Sequence, residues 1–572
     1  MRAKLFLLLT LIVPLLAACS DGSDHILEGS TDNRDDPALA FLSYTSEPQP
    51  RGGTCNDTVD VQAPVIVNGF GFNHANTRNQ TSLIDASNVD TLAVNFHYAP
   101  ASAREKRGAP AVTAQVIFMT SGKQLLAINR LSGCRYWTFT TPQAGSNFRS
   151  ASILFVPASD ASPAVVYAAD FNGYVYAVDA ASGEPLWQTF VGTVPHFHFV
   201  TGGMQHYAGK LFVPVSSKEV LATLVYPGAC CTSHGMMVAL DALSGAMLWQ
   251  FHTTGNADET VMPGARIGPN GAPVWTTPAL DIRRNALYIG TGQNYTEPAT
   301  ATSDAIISLD MDSGAVNWVF QARQNDTWNG NCEIPSSMRC PTPPGHDFDF
   351  GAAPILLEDG NTLIAGDKGG VVYSLRADTG ALNWSNKVSK GSTLGGIHWG
   401  MAVDARRVYV AATDFNIDKA TGGVADLIAG AKPGIYALNL QSGAIEWEIH
   451  PTHTFEGLTT PSLYSASLSV SNDLLFAGSL DGVVRAFATH DGSEKWSLDT
   501  AVAFSDINGE TGNGGTIDSV GVVVAGDGLL INSGYSTFQG VDGRYQAGAG
   551  NALFVLRLAQ EHGLFTAKTR ET

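Results

Sequence analysis

The chain has 572 residues, of which 44% are hydrophobic and only 15% charged, with 60 glycines and a net charge of −19. The hydrophobic share supports a sizeable core and excludes global disorder. The acidic balance excludes nucleic acid, which demands a basic footprint, and electrostatic docking on anionic lipid.

The first 19 residues, MRAKLFLLLTLIVPLLAAC, combine a short basic start, an apolar run and a small-residue cleavage site. Too short for a membrane span, they read as a secretory signal over residues 1–18. The ending LAAC resembles a bacterial lipoprotein box, which makes Cys19 the expected lipidated residue; a plain signal ending near Ala18 is the alternative. Residues 19–60 read as a polar, acidic, flexible tether, and residues 61–572 as one large domain. The expected location is the periplasm, with the membrane reached only through the lipid.

Six further cysteines follow: Cys55, Cys134, Cys230, Cys231, Cys332 and Cys340. An even number in an exported chain points to disulfides, with fifteen possible connectivities. Within these 572 residues there is no CxxCH haem-attachment motif and no CxxC.

A repeat organises the body. A strand of alternating apolar residues ends in a turn carrying Gly, and Trp follows four positions later, as in YVYAVDAASGEPLW and VYSLRADTGALNW. The glycines are 133, 183, 245, 314, 380, 443 and 492, and the tryptophans 137, 187, 249, 318, 384, 447 and 496. The alternation marks half-buried strands, and Gly supplies the positive φ that the turn needs. The repeat spacing of 49 to 69 residues fits one four-stranded blade per repeat of an all-β propeller. The strand-like stretches LAVNFHYAP (92–100) and NALFVLRL (551–558) are expected to combine as an eighth blade, closing the ring.

The turn consensus D-x-x-[ST]-G-x-x-x-W resembles the repeat of pyrroloquinoline quinone (PQQ) propellers. Two groups share it: PQQ-dependent alcohol dehydrogenases, and a cofactor-free lipoprotein scaffold of outer-membrane assembly. From about residue 64 to 558 the chain resembles the dehydrogenases, above all the polyvinyl-alcohol-dehydrogenase branch. NGFGFNHANTRNQ, the long stretch beginning DFDFGAAPILL, and GSTLGGIHWGMAVD carry that likeness.

The resemblance implies roles in chain order. Arg149 in SNFRSA, Thr201 in FVTGG and Ser216 in PVSSKE correspond to cofactor-carboxylate contacts, and Glu219 to a metal ligand. Cys230 and Cys231 correspond to a vicinal disulfide packed on the cofactor, although here they follow Glu219 rather than preceding the arginine. Trp275 in GAPVWTTPALD corresponds to the tryptophan beneath the flat cofactor. IGTGQNY departs from the family's GTGN motif, so the amide ligand is either Gln293 or Asn294.

The family's Trp-Asp base position reads Trp328-Asn329 here, and an amide cannot serve as a base. After the insertion GNCEIPSSMRCPTPPGH, Asp347 resembles the displaced base. Asp349 resembles an extra carboxylate of lanthanide-using relatives, a turn-capping Asp being the plainer reading. Lys368 corresponds to the basic residue at the quinone oxygens, and His398-Trp399 to a pair at the cofactor edge. Cys332–Cys340 and Cys55–Cys134 are the expected pairings of the other cysteines.

Assembled, these residues imply alcohol oxidation by hydride transfer to PQQ. Asp347 acts as base and Lys368 as electrostatic partner, with Ca2+ (or a lanthanide or Mg2+) bound through oxygen ligands. An external cytochrome c is the expected electron acceptor.

Overall fold

A computed structural model describes residues 37–559, except 101–107, 160–161, 194–196, 223–229, 256–260, 263–265, 335–336, 393–394, 418–423, 536–544 and 546. Cys19 and the signal lie outside the described residues. The repeats fold as eight antiparallel sheets in a ring, one per blade. Blades 1 to 7 follow the chain, and blade 8 is composite. Its outer strand, Leu92–Tyr98, comes from the N-terminal side and pairs antiparallel with Ala552–Leu558, so the ring closes without an open edge.

The repeat tryptophans work between blades. Trp137 Nε1 donates to Ala180 O in the next blade at 3.0 Å, and Trp187, Trp249, Trp318, Trp384 and Trp447 repeat this at 3.0–3.1 Å. Each ring covers the turn glycine of that next blade. A Cβ at Gly380 would stand 2.5 Å from the Trp318 ring, and the residue has φ of 70°, so glycine is required twice over. At the seam between blades 8 and 1 there is no repeat tryptophan, and Phe96 of the closing strand covers Gly133 instead.

Residues 70–84 form a strap across the bases of the blades. The carbonyls of His74, Ala75, Thr77 and Arg78 accept from Leu280, Leu356, Val403 and Val470, the innermost strands of blades 4 to 7 in order. Arg78 is buried and donates to the carbonyls of Phe70, Leu468, Val520 and Val522 and to Ser469 Oγ. Phe70 and Phe72 flank its guanidinium at 4.9 and 4.7 Å.

The flexible tether expected up to residue 60 is docked from Leu39 onward, because Leu39 and Phe41 are apolar enough to join the core beside blades 1 and 8. Cys55 bonds Cys134 and anchors this segment to blade 1, and Cys332 bonds Cys340 within the insertion. Among the described residues no helix is long and apolar enough to cross a membrane.

Candidate active site

The first two strands of each blade are antiparallel, so the chain enters the first and leaves the second on one face of the ring. Trp275 precedes Ala279–Asp281 and Gln293 follows Ala286–Gly290 in blade 4. Asp347 and Asp349 precede Ile355–Leu356 and Lys368 follows Thr362–Gly366 in blade 5, while His398 and Trp399 precede Ala402–Val403 in blade 6. Thr201 and Ser216 hold the matching positions in blade 3. Residues scattered over two hundred positions thus share one face; the strap covers the other.

Three charges converge there. Lys368 Nζ is 2.7 Å from Asp347 Oδ1 and 3.4 Å from Asp349 Oδ2, and all three side chains are less than a tenth exposed. Gln293 Nε2 donates to Asp347 Oδ1 at 3.1 Å, and Gln293 N to Asp349 Oδ1 at 3.3 Å. Trp275 Nε1 donates to Asp349 Oδ2 at 2.9 Å. Asp349 therefore orients the indole and is bonded through both oxygens, whereas Asp347 keeps Oδ2 unengaged among the described residues.

Burial pushes the Asp347 carboxyl up to about 7, against the pull of Lys368 and with the push of Asp349. The Lys368 ammonium is held above its ordinary range because the two carboxylates outweigh its burial. Both groups lean towards sharing a proton.

Two glycines make room for this cluster. A Cβ at Gly292 would stand 2.0 Å from Asp349 Oδ1, and one at Gly351 would stand 2.6 Å from both the Trp275 ring and His398 O. His398 and Trp399 meet the Trp275 ring edge-on, with centroids 5.6 and 5.3 Å away. His398 Nδ1 lies 2.7 Å from Ser465 Oγ, and burial, with Lys368 nearby, keeps the imidazole neutral by drawing its pKa well below the usual value. Trp399 Nε1 is buried without a hydrogen-bond partner among the described residues.

Gln293 and Asn294 differ in their hydrogen bonding. Asn294 Oδ1 accepts from Thr300 N and Oγ1 at 2.7 and 3.0 Å, while Gln293 Oε1 is buried with no hydrogen-bond partner among the described residues. Asn329, at the family's base position, is also structural. Its Oδ1 caps Asn331 N at 2.9 Å and its Nδ2 bonds the Tyr295 and Arg339 carbonyls.

Glu219 stands apart from the triad. Its carboxylate accepts from Thr232 N and Oγ1 and from Ser233 N and Oγ, directly after the vicinal cysteines. Cys230 and Cys231 are bonded to each other across a cis peptide. They pack on Tyr295, and Asn270 Nδ2 donates to Cys231 O.

Tyr295 is the residue that motif reading missed. Fully buried, it donates to Ser217 O at 3.2 Å, and its hydroxyl is within the electrostatic reach of Asp349, Asp347 and Glu219, which links the cysteine loop to the triad. Its place directly after GTGQN was the available signal. Thr201 and Ser216 are buried, and Thr201 adjoins Gly202, where a Cβ would stand 2.8 Å from the Trp275 and Thr276 carbonyl oxygens. The Arg149 side chain lies outside the described residues; its backbone lies in Phe148–Val156.

Among the described residues, no three His, Cys, Asp or Glu side chains form a ready-made metal cage. The oxygens at hand nevertheless fit a hard cation: an unpartnered amide oxygen on Gln293 beside the Asp347 carboxylate. The indole of Trp275, framed by His398 and Trp399, fits a flat aromatic group.

The ring has eight blades, and its buried Lys368, Asp347 and Asp349 lie beside Trp275. Residues 70–338 match the family described as glucose/ethanol/alcohol dehydrogenase PQQ β-propeller domain, and residues 368–542 that of outer membrane protein assembly factor BamB. The chain is 33% identical over 496 residues to a polyvinyl alcohol dehydrogenase of Pseudomonas sp., covering 84% of this chain and 74% of the relative. It is 32% identical over 510 residues to that of Sphingopyxis sp. strain 113P3, covering 85% and 75%. The quinohaemoprotein alcohol dehydrogenase ADH IIG of Pseudomonas putida HK5 shares the fold at a TM-score of 0.62 and 17% identity, over 92% of this chain and 85% of its own.

The chain belongs to the PQQ-dependent alcohol dehydrogenase family, alongside the polyvinyl alcohol dehydrogenases.

Proposed function

We propose that this enzyme oxidises secondary hydroxyls of polyvinyl-alcohol-like chains, and simpler alcohols, at the Asp347 cluster. The observation that carries this reading is the buried Lys368–Asp347 pair, 2.7 Å apart, beside the unpartnered oxygen of Gln293. PQQ, when bound, would supply the hydride acceptor, and a cation, Ca2+ by the oxygen-only donor set, would supply Lewis-acid assistance.

The chain's residues supply orientation and proton handling. Asp347 takes the hydroxyl proton. Lys368 and Gln293 fix its Oδ1, and a proton affinity near neutrality suits a general base. The Lys368 ammonium balances negative charge that develops nearby. Trp275, held by Asp349, offers its ring to the planar cofactor, and Trp399 Nε1 offers a free donor at its edge. Cys230–Cys231 would pack on the cofactor, and Thr201, Ser216 and Arg149 would bind its carboxylates.

Gln293 Oε1 would be the amide ligand of the cation. Glu219, whose carboxylate is bonded to Thr232 and Ser233, and Asp347 would be its carboxylate ligands. Asn294, fully bonded to Thr300 and Asn270, is left as structural support, and Asp349 as a positioning residue.

Electrons leave to an external c-type cytochrome, and the mature protein sits in the periplasm on a lipid at Cys19. The leader sequence and three disulfides support the exported location. The test is reconstitution with PQQ and calcium followed by dye-linked oxidation of polyvinyl alcohol. Turnover that disappears in Asp347→Asn supports the reading, and no turnover in the wild type overturns it.

A further inference from the structure

A groove of about 870 Å3 lies on the face opposite the charged cluster, where blades 5 and 6 meet the strap. The strap lines it with every second residue: Asn73, Ala75, Thr77, Asn79 and Thr81. The intervening Asn76, Arg78 and Gln80 are buried beneath. Trp384 and Gln441 line the blade side.

The chemistry of the lining selects its ligand. It contains no Lys, Arg or His, so it offers no positive charge to an anion. Two of its acids are already engaged: Asp359 accepts from Asn361 N, Thr362 N and Thr362 Oγ1, and Asp404 from Arg406 N, Arg407 N and the Tyr409 hydroxyl. Asn79, Thr81 and Gln441 make no side-chain hydrogen bond to another described residue and remain open to a ligand. Trp384 Nε1 is spent on Leu440 O at 3.0 Å, which leaves its half-buried ring as an apolar surface. Glu358 is the third acid of the lining, and carboxylates, amides and hydroxyls around an indole offer hydrogen bonds to an uncharged chain that alternates hydroxyls with CH2 groups.

We propose that this groove is a second, non-catalytic binding site for a polyhydroxylated polymer, holding a polyvinyl alcohol chain while another stretch of it reaches the opposite face. The proposal rests on the polymer-oxidising reading above. Its benefit is raised local concentration, because a tethered chain returns to the active site faster than a free one.

The test uses the cofactor-loaded enzyme and an Asn79→Ala/Gln441→Ala double variant. Both positions are exposed and outside the catalytic cluster. The expected result is a rise of about tenfold in KM for long polyvinyl alcohol at unchanged kcat, with both constants for pentane-2,4-diol unchanged. An unchanged polymer KM, or a parallel loss on pentane-2,4-diol, overturns the proposal.

Calorimetric titration without an electron acceptor tests the groove independently of turnover. Polyvinyl alcohol binding that weakens in the double variant supports it, and no binding or equal binding in both proteins overturns it. Tighter binding of dextran than of polyvinyl alcohol overturns the assignment of the occupant. Absence of oxidation of any alcohol refutes the functional reading instead, and the groove then stands or falls on the calorimetric titration.

Discussion

Lys368 Nζ sits 2.7 Å from Asp347 Oδ1 with both side chains buried, and the second carboxylate, Asp349, stands 3.4 Å from the same ammonium. Two buried acids and one base leave a net negative charge in a low-dielectric site, which burial alone disfavours. Such an arrangement makes Asp347 hold its proton more tightly than an exposed aspartate, as a base working near neutral pH requires.

Asp347→Asn removes the proton acceptor while keeping the hydrogen bond to Lys368 within reach. The expected loss is about 10²–10⁴-fold in kcat, with native circular dichroism. Steady-state kinetics on a soluble secondary alcohol checks it, and full turnover would refute the role of Asp347.

Gly351→Ala places a methyl group against the Trp275 ring and His398 O. Overpacking of this kind costs about 1–3 kcal/mol, and here it falls on the proposed stacking surface. PQQ affinity should drop by roughly ten- to hundredfold in a fluorescence titration, while the thermal midpoint moves little.

Asp304 lies behind the cluster, its N–H donating to Gly292 O, and both carboxylate oxygens are buried without a hydrogen-bond partner among the described residues. Burial raises its pKa well above the ordinary value. A raised carboxyl penalises the folded state once the unfolded chain ionises, above about pH 4. Asp304→Asn should therefore raise the melting temperature at pH 7 by about 2 °C or more, and the gain should vanish at about pH 3.5. Calorimetry across that range is the check.

Asp527 shows the opposite sign. It pairs with Arg130 at 2.6 Å and with Arg557, tying blade 1 to blade 8, and those cations hold its carboxyl below the usual range despite burial. This contribution is complete above about pH 4 and is lost as pH falls through the depressed folded value. Asp527→Asn should cost about 3 kcal/mol at neutral pH and flatten the acid limb of a stability–pH curve measured by urea unfolding.

The seam gives a separate stability test. Phe96 is buried over Gly133 where the other junctions use tryptophan. Phe96→Ala should destabilise by about 3–5 kcal/mol, whereas Val94→Ala, on the exposed side of the same strand, should change little.

The repeat was legible because each Gly-x-x-x-Trp unit is local and solves the same packing problem, a ring over the neighbouring blade's turn. Asp347 was legible as a base because Asn329 could not be one, and the disulfide-bonded insertion lies between the two. The bonds of Glu219 to Thr232 and Ser233 were not legible, since they depend on how the Cys230–Cys231 loop folds back. Nor was the docking of residues 37–60, where two apolar side chains, Leu39 and Phe41, outweigh an acidic composition. Tyr295 escaped notice because its role is contact with three distant segments rather than a motif.

The most direct measurement is the visible and near-ultraviolet spectrum of the purified protein after PQQ and calcium are added, recorded with dye-linked oxidation of polyvinyl alcohol for the wild type and Asp347→Asn. The wild type should retain quinone absorbance through desalting and turn over, and the variant should retain the absorbance without turnover. A wild type that releases PQQ on desalting and oxidises no alcohol would contradict the account.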